Sequence, residues 1–151
     1  ILEYVNDLKS NPKNLIIREK LLSASNLAGL AFSNTKTAAA HSISYPLTGK
    51  YGMPHGVASS ISLVPLLKIN ERGIKIPLDK ILKNLKFDFS DLTNSINSIP
   101  ENIIPFSLKK WNIFDSDFSY IVKKSFTKGR MDNNIVDLSQ RHELNTLRDI
   151  K

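Results

Sequence analysis

The sequence predicts an all-α protein, a helical bundle that forms one domain. Apolar residues recur at helical spacing along almost the whole chain, as Leu2, Val5 and Leu8 do at its start. Capping residues, prolines and glycines separate these stretches. The chain has 151 residues, 41% of them hydrophobic, which is enough for one domain with a buried core. We therefore expect a single all-helical domain over residues 1–151.

The first two predicted helices meet at Asn11 and Pro12. The first ends near Ser10, and the second runs over residues 12–32, because asparagine caps helices and proline suits a first turn. The apolar positions of the second helix are Leu15, Ile16, Leu22, Leu27 and Leu30.

Two more helices follow the polar segment 34–37. The small residues 38–40 begin the third helix, and Pro46 is expected to kink or end it. The segment Gly52-Met53-Pro54 breaks the chain again. A fourth helix is predicted over residues 55–70, with a kink at Pro65 and a stop at Gly73.

The second half of the chain carries shorter helical patterns. Ser90, Ser116 and Ser139 are the predicted caps of three of them. Trp111 and Phe114 are expected in the core. The predicted helices span residues 78–85, 90–98, 107–111, 116–125 and 139–150.

Composition limits the possible functions. The chain contains no cysteine, so disulfides and thiolate ligands are excluded, and the absence fits a cytoplasmic protein. No apolar run is long enough for a membrane span, so no membrane partner is expected. The net charge of +7 comes from scattered lysines and arginines without interleaved aromatics. Such a surface attracts anions in general and predicts no nucleic-acid partner.

Two of the three histidines, His41 and His55, lie only fourteen residues apart. Each stands near the start of a predicted helix, so both rings can converge on one divalent ion. Two ligands do not complete a catalytic metal site, which usually has at least three from the protein. Two surface or capping histidines are the alternative interpretation.

The segment from Asn26 to Asn70 resembles the iron-containing (group III) alcohol dehydrogenase family, in its all-helical C-terminal half. The resemblance is carried by residues 28–34 (Ala-Gly-Leu-Ala-Phe-Ser-Asn), His41, residues 51–58 (Tyr-Gly-Met-Pro-His-Gly-Val-Ala) and residues 61–65 (Ile-Ser-Leu-Val-Pro). It implies that His41 and His55 are metal ligands. It also implies the C-terminal half of a dehydroquinate synthase-like fold.

The chain departs from the family pattern in two places. Tyr45 stands where the family usually has a further histidine close to the nicotinamide. A phenol can relay a proton but is a poorer base than imidazole at neutral pH, so Tyr45 is either a proton relay or a packing residue. The family's other two ligands, an aspartate and a histidine four residues later, have no counterpart here. The glycine-rich nucleotide-binding half is also missing, so we expect a domain of a longer protein that is inactive alone.

The resemblance implies a metal-dependent alcohol dehydrogenase or aldehyde reductase. Its cofactors would be NAD(P)H and a divalent metal, Fe²⁺ or Zn²⁺, and its substrate a small alcohol or aldehyde. The complete protein would form homo-oligomers.

Two further residues are candidates for substrate binding by the same resemblance. Phe32 corresponds to a phenylalanine of the family's substrate pocket, with a core position as the alternative. Residues 36–48 resemble a subgroup linked to phosphonoacetaldehyde reduction, in which Lys36 would bind the phosphonate. The alternative is that Lys36 is a loop residue without a role in binding. A non-catalytic helical binding module derived from such an enzyme is the alternative function, favoured by Tyr45 and the missing half.

Overall fold

The computed structural model describes residues 1–151 and contains α-helices and short 3-10 turns but no β-strand, which confirms the all-α prediction. The helices are α1 (Val5–Ser10), α2 (Leu15–Thr35), α3 (Ala39–Tyr51), α4 (His55–Ser60), α5 (Leu63–Asn70), α6 (Lys75–Leu85), α7 (Phe89–Ser98), α8 (Asp115–Ser125) and α9 (Gln140–Asp149). The 3-10 turns are Leu108–Trp111 and Met131–Asn133.

Helix α3 lies at the centre of the bundle. Ala39, Ile43 and Leu47 recur every four residues along one face, and all three are fully buried. This face packs against α4 and α8, and α9 packs on α8 from the other side. The core also holds Met53, Ala58, Ile61, Leu66, Leu108, Ile113, Phe118, Ile121, Val122, Met131, Leu147 and Ile150.

Pro46 does not end α3, which was one of the two effects predicted from the sequence. The helix continues to Tyr51 with Pro46 buried inside it. Proline cannot donate the backbone hydrogen bond of its position, but burial of its ring against the core offsets part of that cost. Gly52 ends the helix with a φ of 67°, a conformation that glycine adopts without strain.

The predicted helix over residues 55–70 is in fact two helices, α4 and α5. The chain turns at Ile61 and Ser62, and both residues are buried. Pro65 therefore lies in the first turn of α5, where a backbone N–H has no partner within the helix. The proline marks a helix start rather than a kink.

Several caps differ from the predicted ones. Asn14, rather than Asn11, caps α2 by accepting from the N–H groups of Ile16 and Ile17. Asp88, rather than Ser90, caps α7. The carboxylate of Asp117, rather than Ser116, satisfies the start of α8 by accepting from Phe114 N–H. The Ser139 cap of α9 is confirmed.

Helix α2 contributes no buried residue, so its predicted apolar positions lie on the surface of the domain. Leu15 and Leu22 are 80% and 72% exposed, and Ile16, Leu27 and Leu30 are also exposed. The helix packs mainly against α1. Phe114, predicted in the core, is 50% exposed, and Trp111 is only partly buried. An apolar stripe on α2 therefore faces outward in this chain.

Candidate metal centre

The two paired histidines come together where α3 and α4 meet. His41 lies in the first turn of α3, and His55 is the first residue of α4. Their ring centroids are 5.4 Å apart, with the ring planes inclined by 59°. The close packing of α3 on α4 produces this approach, because the turn Gly52–Pro54 folds α4 back along α3.

The spacing of the two rings is compatible with one shared ion. Two imidazoles on a tetrahedral ion, at a metal–nitrogen distance of about 2.0–2.1 Å, have ring centres about 5 Å apart. The observed 5.4 Å is close to that value. No group of three or more His, Cys, Asp or Glu side chains in the chain can hold a metal, so the pair supplies at most two ligands.

Ser44 sets the orientation of the His55 ring. Its hydroxyl donates to the carbonyl oxygen of His41 at 2.8 Å. The Oγ atom of Ser44 also lies 3.5 Å from Nδ1 of His55. Because the hydroxyl hydrogen is donated to His41, the Ser44 oxygen can accept a hydrogen from Nδ1, an arrangement that would leave the lone pair of Nε2 for an ion. Ser44 is fully buried, so this arrangement is held inside α3.

His41 is poised to be neutral. Partial burial, together with the nearby His55 and the cation of Arg130, lowers the pKa of His41 below its ordinary value. A neutral imidazole has the lone pair that metal coordination requires. The electrostatics of the site therefore favour the ligating form of this ring.

A third ring and a cation adjoin the histidines. The Tyr45 ring stacks on His55 with centroids 6.3 Å apart. The guanidinium carbon of Arg130 lies 4.5 Å from the centre of the Tyr45 ring. Tyr45 is 39% exposed, so this group faces outward from the bundle. Tyr45, His41 and His55 are thus assembled on one surface.

Phe32 and Lys36 lie apart from this group, at the end of α2. Phe32 is 52% exposed, and its ring does not contact the ring of either histidine. Lys36 ends α2 with φ 64° and ψ 178°. It lines a cavity of about 510 Å³ together with Asn70 and Asn133, and neither histidine borders that cavity. The loop they flank leads directly into α3 and His41.

Sequence reasoning missed Ser44 and Arg130. Ser44 follows His41 by three residues, so helical spacing alone places it on the same face. Arg130 is far from both histidines in sequence, and the only signal was the preceding Gly129. Its place beside Tyr45 depends on the packing of α8 against α3, which periodicity does not reveal.

None of the helices combines the length and the hydropathy that a membrane-spanning helix needs.

Comparison with known proteins identifies the family of this chain. The model of the Fe-containing alcohol dehydrogenase family, C-terminal, matches residues 1–150. A 4-hydroxybutyrate dehydrogenase of Clostridium kluyveri is 32% identical over 101 residues, 64% of this chain and 27% of that protein. A 1,3-propanediol dehydrogenase of Klebsiella pneumoniae is 28% identical over 131 residues, 80% of this chain and 34% of its own length.

A similar solved structure shares the fold across nearly the whole chain. Sulfoacetaldehyde reductase from Bifidobacterium kashiwanohense, determined in complex with NAD+, superposes with a TM-score of 0.88 and 26% identity. The match covers 99% of this chain and 40% of that one. The chain thus spans about a quarter to two fifths of the length of these relatives. The family match covers residues 1–150, and the chain belongs to the iron-containing alcohol dehydrogenase family as its C-terminal domain.

Proposed function

We propose that this domain supplies half of the metal site of an NAD(P)-linked aldehyde reductase or alcohol dehydrogenase. The observation that carries the proposal is the 5.4 Å separation of the His41 and His55 rings on an outward-facing surface. A domain outside these residues would supply the remaining ligands and the nucleotide site. The ion would be Fe²⁺ or Zn²⁺, and the complete protein cytoplasmic and homo-oligomeric.

The exposed apolar face of α2 supports such a second domain. Its leucines are more than half exposed, and apolar surface of this kind is costly to leave in water. Phe32 stands at the end of the same helix, next to the loop that enters α3. We therefore place the substrate between α2, α3 and the additional domain, with Phe32 as one apolar wall.

The chemistry divides between the ion and the side chains of this domain. A bound divalent ion would polarise the oxygen of an alcohol or carbonyl next to the carbon that exchanges hydride with the nicotinamide. Neutral His41 and His55 would hold it, and Ser44 keeps Nε2 of His55 available. Tyr45 would exchange a proton with the substrate oxygen through its hydroxyl, which makes no hydrogen bond within the domain.

The experiment compares three histidine variants of the complete protein. His41→Ala and His55→Ala should each lower bound metal and abolish nicotinamide-linked reduction of a short aldehyde. His142→Ala is the matched control, because His142 is exposed and only caps α9. Metal is measured by elemental analysis, and activity by absorbance of the reduced nicotinamide.

Either of two results would refute this proposal. Full metal occupancy and activity in both His41→Ala and His55→Ala would place the metal elsewhere. A complete protein that binds metal or nucleotide but reduces no aldehyde would favour a non-catalytic binding module, for which the tyrosine at position 45 is the supporting observation.

A further inference from the structure

Arg130 brings a full positive charge to the edge of the candidate metal centre. Its guanidinium carbon lies 4.5 Å from the centre of the Tyr45 ring, and Tyr45 stacks on His55 at 6.3 Å. The sum of these two distances is the farthest that the guanidinium can lie from the His55 ring. The cation, the Tyr45 ring and the His55 ring are therefore parts of one local group.

The backbone fixes where Arg130 points. Gly129 precedes it with a φ of 83°, a left-handed conformation that other residues rarely adopt. Met131 follows it, is buried in the core and donates its N–H to the carbonyl of Thr127. Asn133 donates its backbone N–H to the carbonyl of Arg130 at 3.0 Å. The arginine thus stands on an anchored turn rather than on a loose loop.

The side chain of Asn133 ties the same turn to the start of the candidate centre. Its amide donates to the carbonyls of Thr35 and Thr37, at 2.8 and 3.1 Å. Thr35 is the last residue of α2, and Thr37 lies in the loop that enters α3 just before His41. These hydrogen bonds therefore fix the position of the turn that carries Arg130 relative to the helix that carries His41 and Tyr45.

The guanidinium has no anionic partner in the domain. None of the ion pairs of the domain includes Arg130, and its N–H groups donate no hydrogen bond. Its guanidinium carbon lies over the Tyr45 ring, and the donors of the group remain available for a ligand. Such an edge matches the two oxygens of a carboxylate, sulfonate or phosphonate.

We propose that Arg130 binds the acidic tail of the substrate and makes the enzyme selective for short aldehydes that carry an anionic group. This inference rests on the proposed function, because the aldehyde end must lie at the histidine pair. Lys36 is the weaker candidate for this role, since the cavity that it lines is bordered by neither histidine. Arginine also binds such oxygens with two parallel hydrogen bonds, which a lysine cannot provide.

The test uses two aldehydes with the same carbon chain, 4-oxobutanoate and butanal. In the complete, metal-loaded enzyme, Arg130→Gln should raise KM for 4-oxobutanoate by about 10- to 100-fold, the effect of losing a charge-assisted hydrogen-bonded pair. KM for butanal should change by a much smaller factor. Arg130→Lys should lie between, because it keeps the charge and loses the paired donors. Arg141→Gln, which removes an exposed arginine on α9, is the matched control.

A binding measurement separates the substrate's tail from the cofactor's phosphates. Ethanesulfonate, an anion without an aldehyde, should compete with 4-oxobutanoate in the unsubstituted enzyme and lose that effect in Arg130→Gln. KM for the nicotinamide cofactor should not change in the variant; a change confined to that KM would overturn the inference and assign Arg130 to the cofactor.

Failure of the role of Arg130 can be distinguished from failure of the proposed function. Equal KM changes for both aldehydes, or selectivity lost in Lys36→Ala instead of Arg130→Gln, would overturn only the role of Arg130. An unsubstituted enzyme that reduces neither aldehyde would overturn the proposed function itself.

Discussion

The Ser44 hydroxyl connects the two histidines of the candidate metal centre. Its oxygen lies 3.5 Å from Nδ1 of His55 while its hydrogen is donated to the carbonyl of His41. The two ring-bearing residues are therefore coupled through one buried side chain of α3. A partner of this kind fixes which nitrogen of a histidine faces a metal.

Ser44→Ala should weaken the binding of a divalent metal by about 10- to 100-fold, the usual effect of losing a group that orients a ligand. The variant frees His55 to rotate and to carry its hydrogen on either nitrogen. Calorimetric titration of Zn²⁺ into the metal-free complete protein measures the change. Ser42→Ala is the matched control, because Ser42 is equally buried on α3 and its hydroxyl has no partner. Equal loss of affinity in both variants would contradict the orienting role.

Much of the fold follows from local sequence, and the parts that do not are informative. Ala39, Ile43 and Leu47 recur at helical spacing and form the core side of α3. The leucines of α2 show the same spacing, yet they face outward because no element of this chain covers them. Periodicity identifies an apolar face but not its partner.

The candidate site shows the same limit. The resemblance identifies His41, His55 and Tyr45, because each belongs to a local motif or its spacing. Arg130 reaches Tyr45 through the packing of α8 on α3 and the turn after α8, a contact between distant parts of the chain. Some predicted helix starts differ from the observed ones by a few residues, as at α2, which Asn14 caps instead of Asn11. Several neighbouring residues can cap a helix equally well, so local sequence does not select one of them.

Tyr45→Phe tests whether the hydroxyl relays a proton or the ring only packs. Phenylalanine keeps the ring that contacts Arg130 and His55 and removes only the oxygen. Loss of a general acid should lower kcat for aldehyde reduction by at least about 100-fold and change the solvent deuterium isotope effect. Tyr120→Phe, at an exposed ring on α8, is the control. An unchanged kcat in Tyr45→Phe would leave Tyr45 with a packing role only.

Lys36→Gly should stabilise the protein by about 1 kcal/mol, because the backbone at φ 64° and ψ 178° is a conformation that essentially only glycine adopts without strain. Thermal or denaturant unfolding measures the gain. Lys68→Gly, inside α5, should instead cost about 1 kcal/mol, since glycine is unfavourable within a helix. A stability loss at position 36 would contradict the strain interpretation. If Lys36 contributes to substrate binding, KM for 4-oxobutanoate will rise in the same variant.

Glu143 makes the stability of the protein depend on pH. The residue is 1% exposed, and neither carboxylate oxygen has a hydrogen-bond partner. Burial raises the pKa of Glu143 from 4.5 to about 7, and the nearby Ser125 opposes this only in part, since its hydroxyl donates to the carbonyl of Ile121.

Because the folded pKa is the higher one, the folded state holds its proton between about pH 4.5 and pH 7 while the unfolded state releases it. Stability should therefore fall as pH rises through that window, by about 3 kcal/mol in total. Glu143→Gln stays neutral, so it should be more stable than the unsubstituted protein at about pH 8 and differ little from it at about pH 4. Urea unfolding across this range measures the difference, with the exposed Glu101→Gln as control. A difference between Glu143→Gln and the unsubstituted protein that does not vary with pH would show that the pKa of Glu143 is the same in the folded and unfolded states.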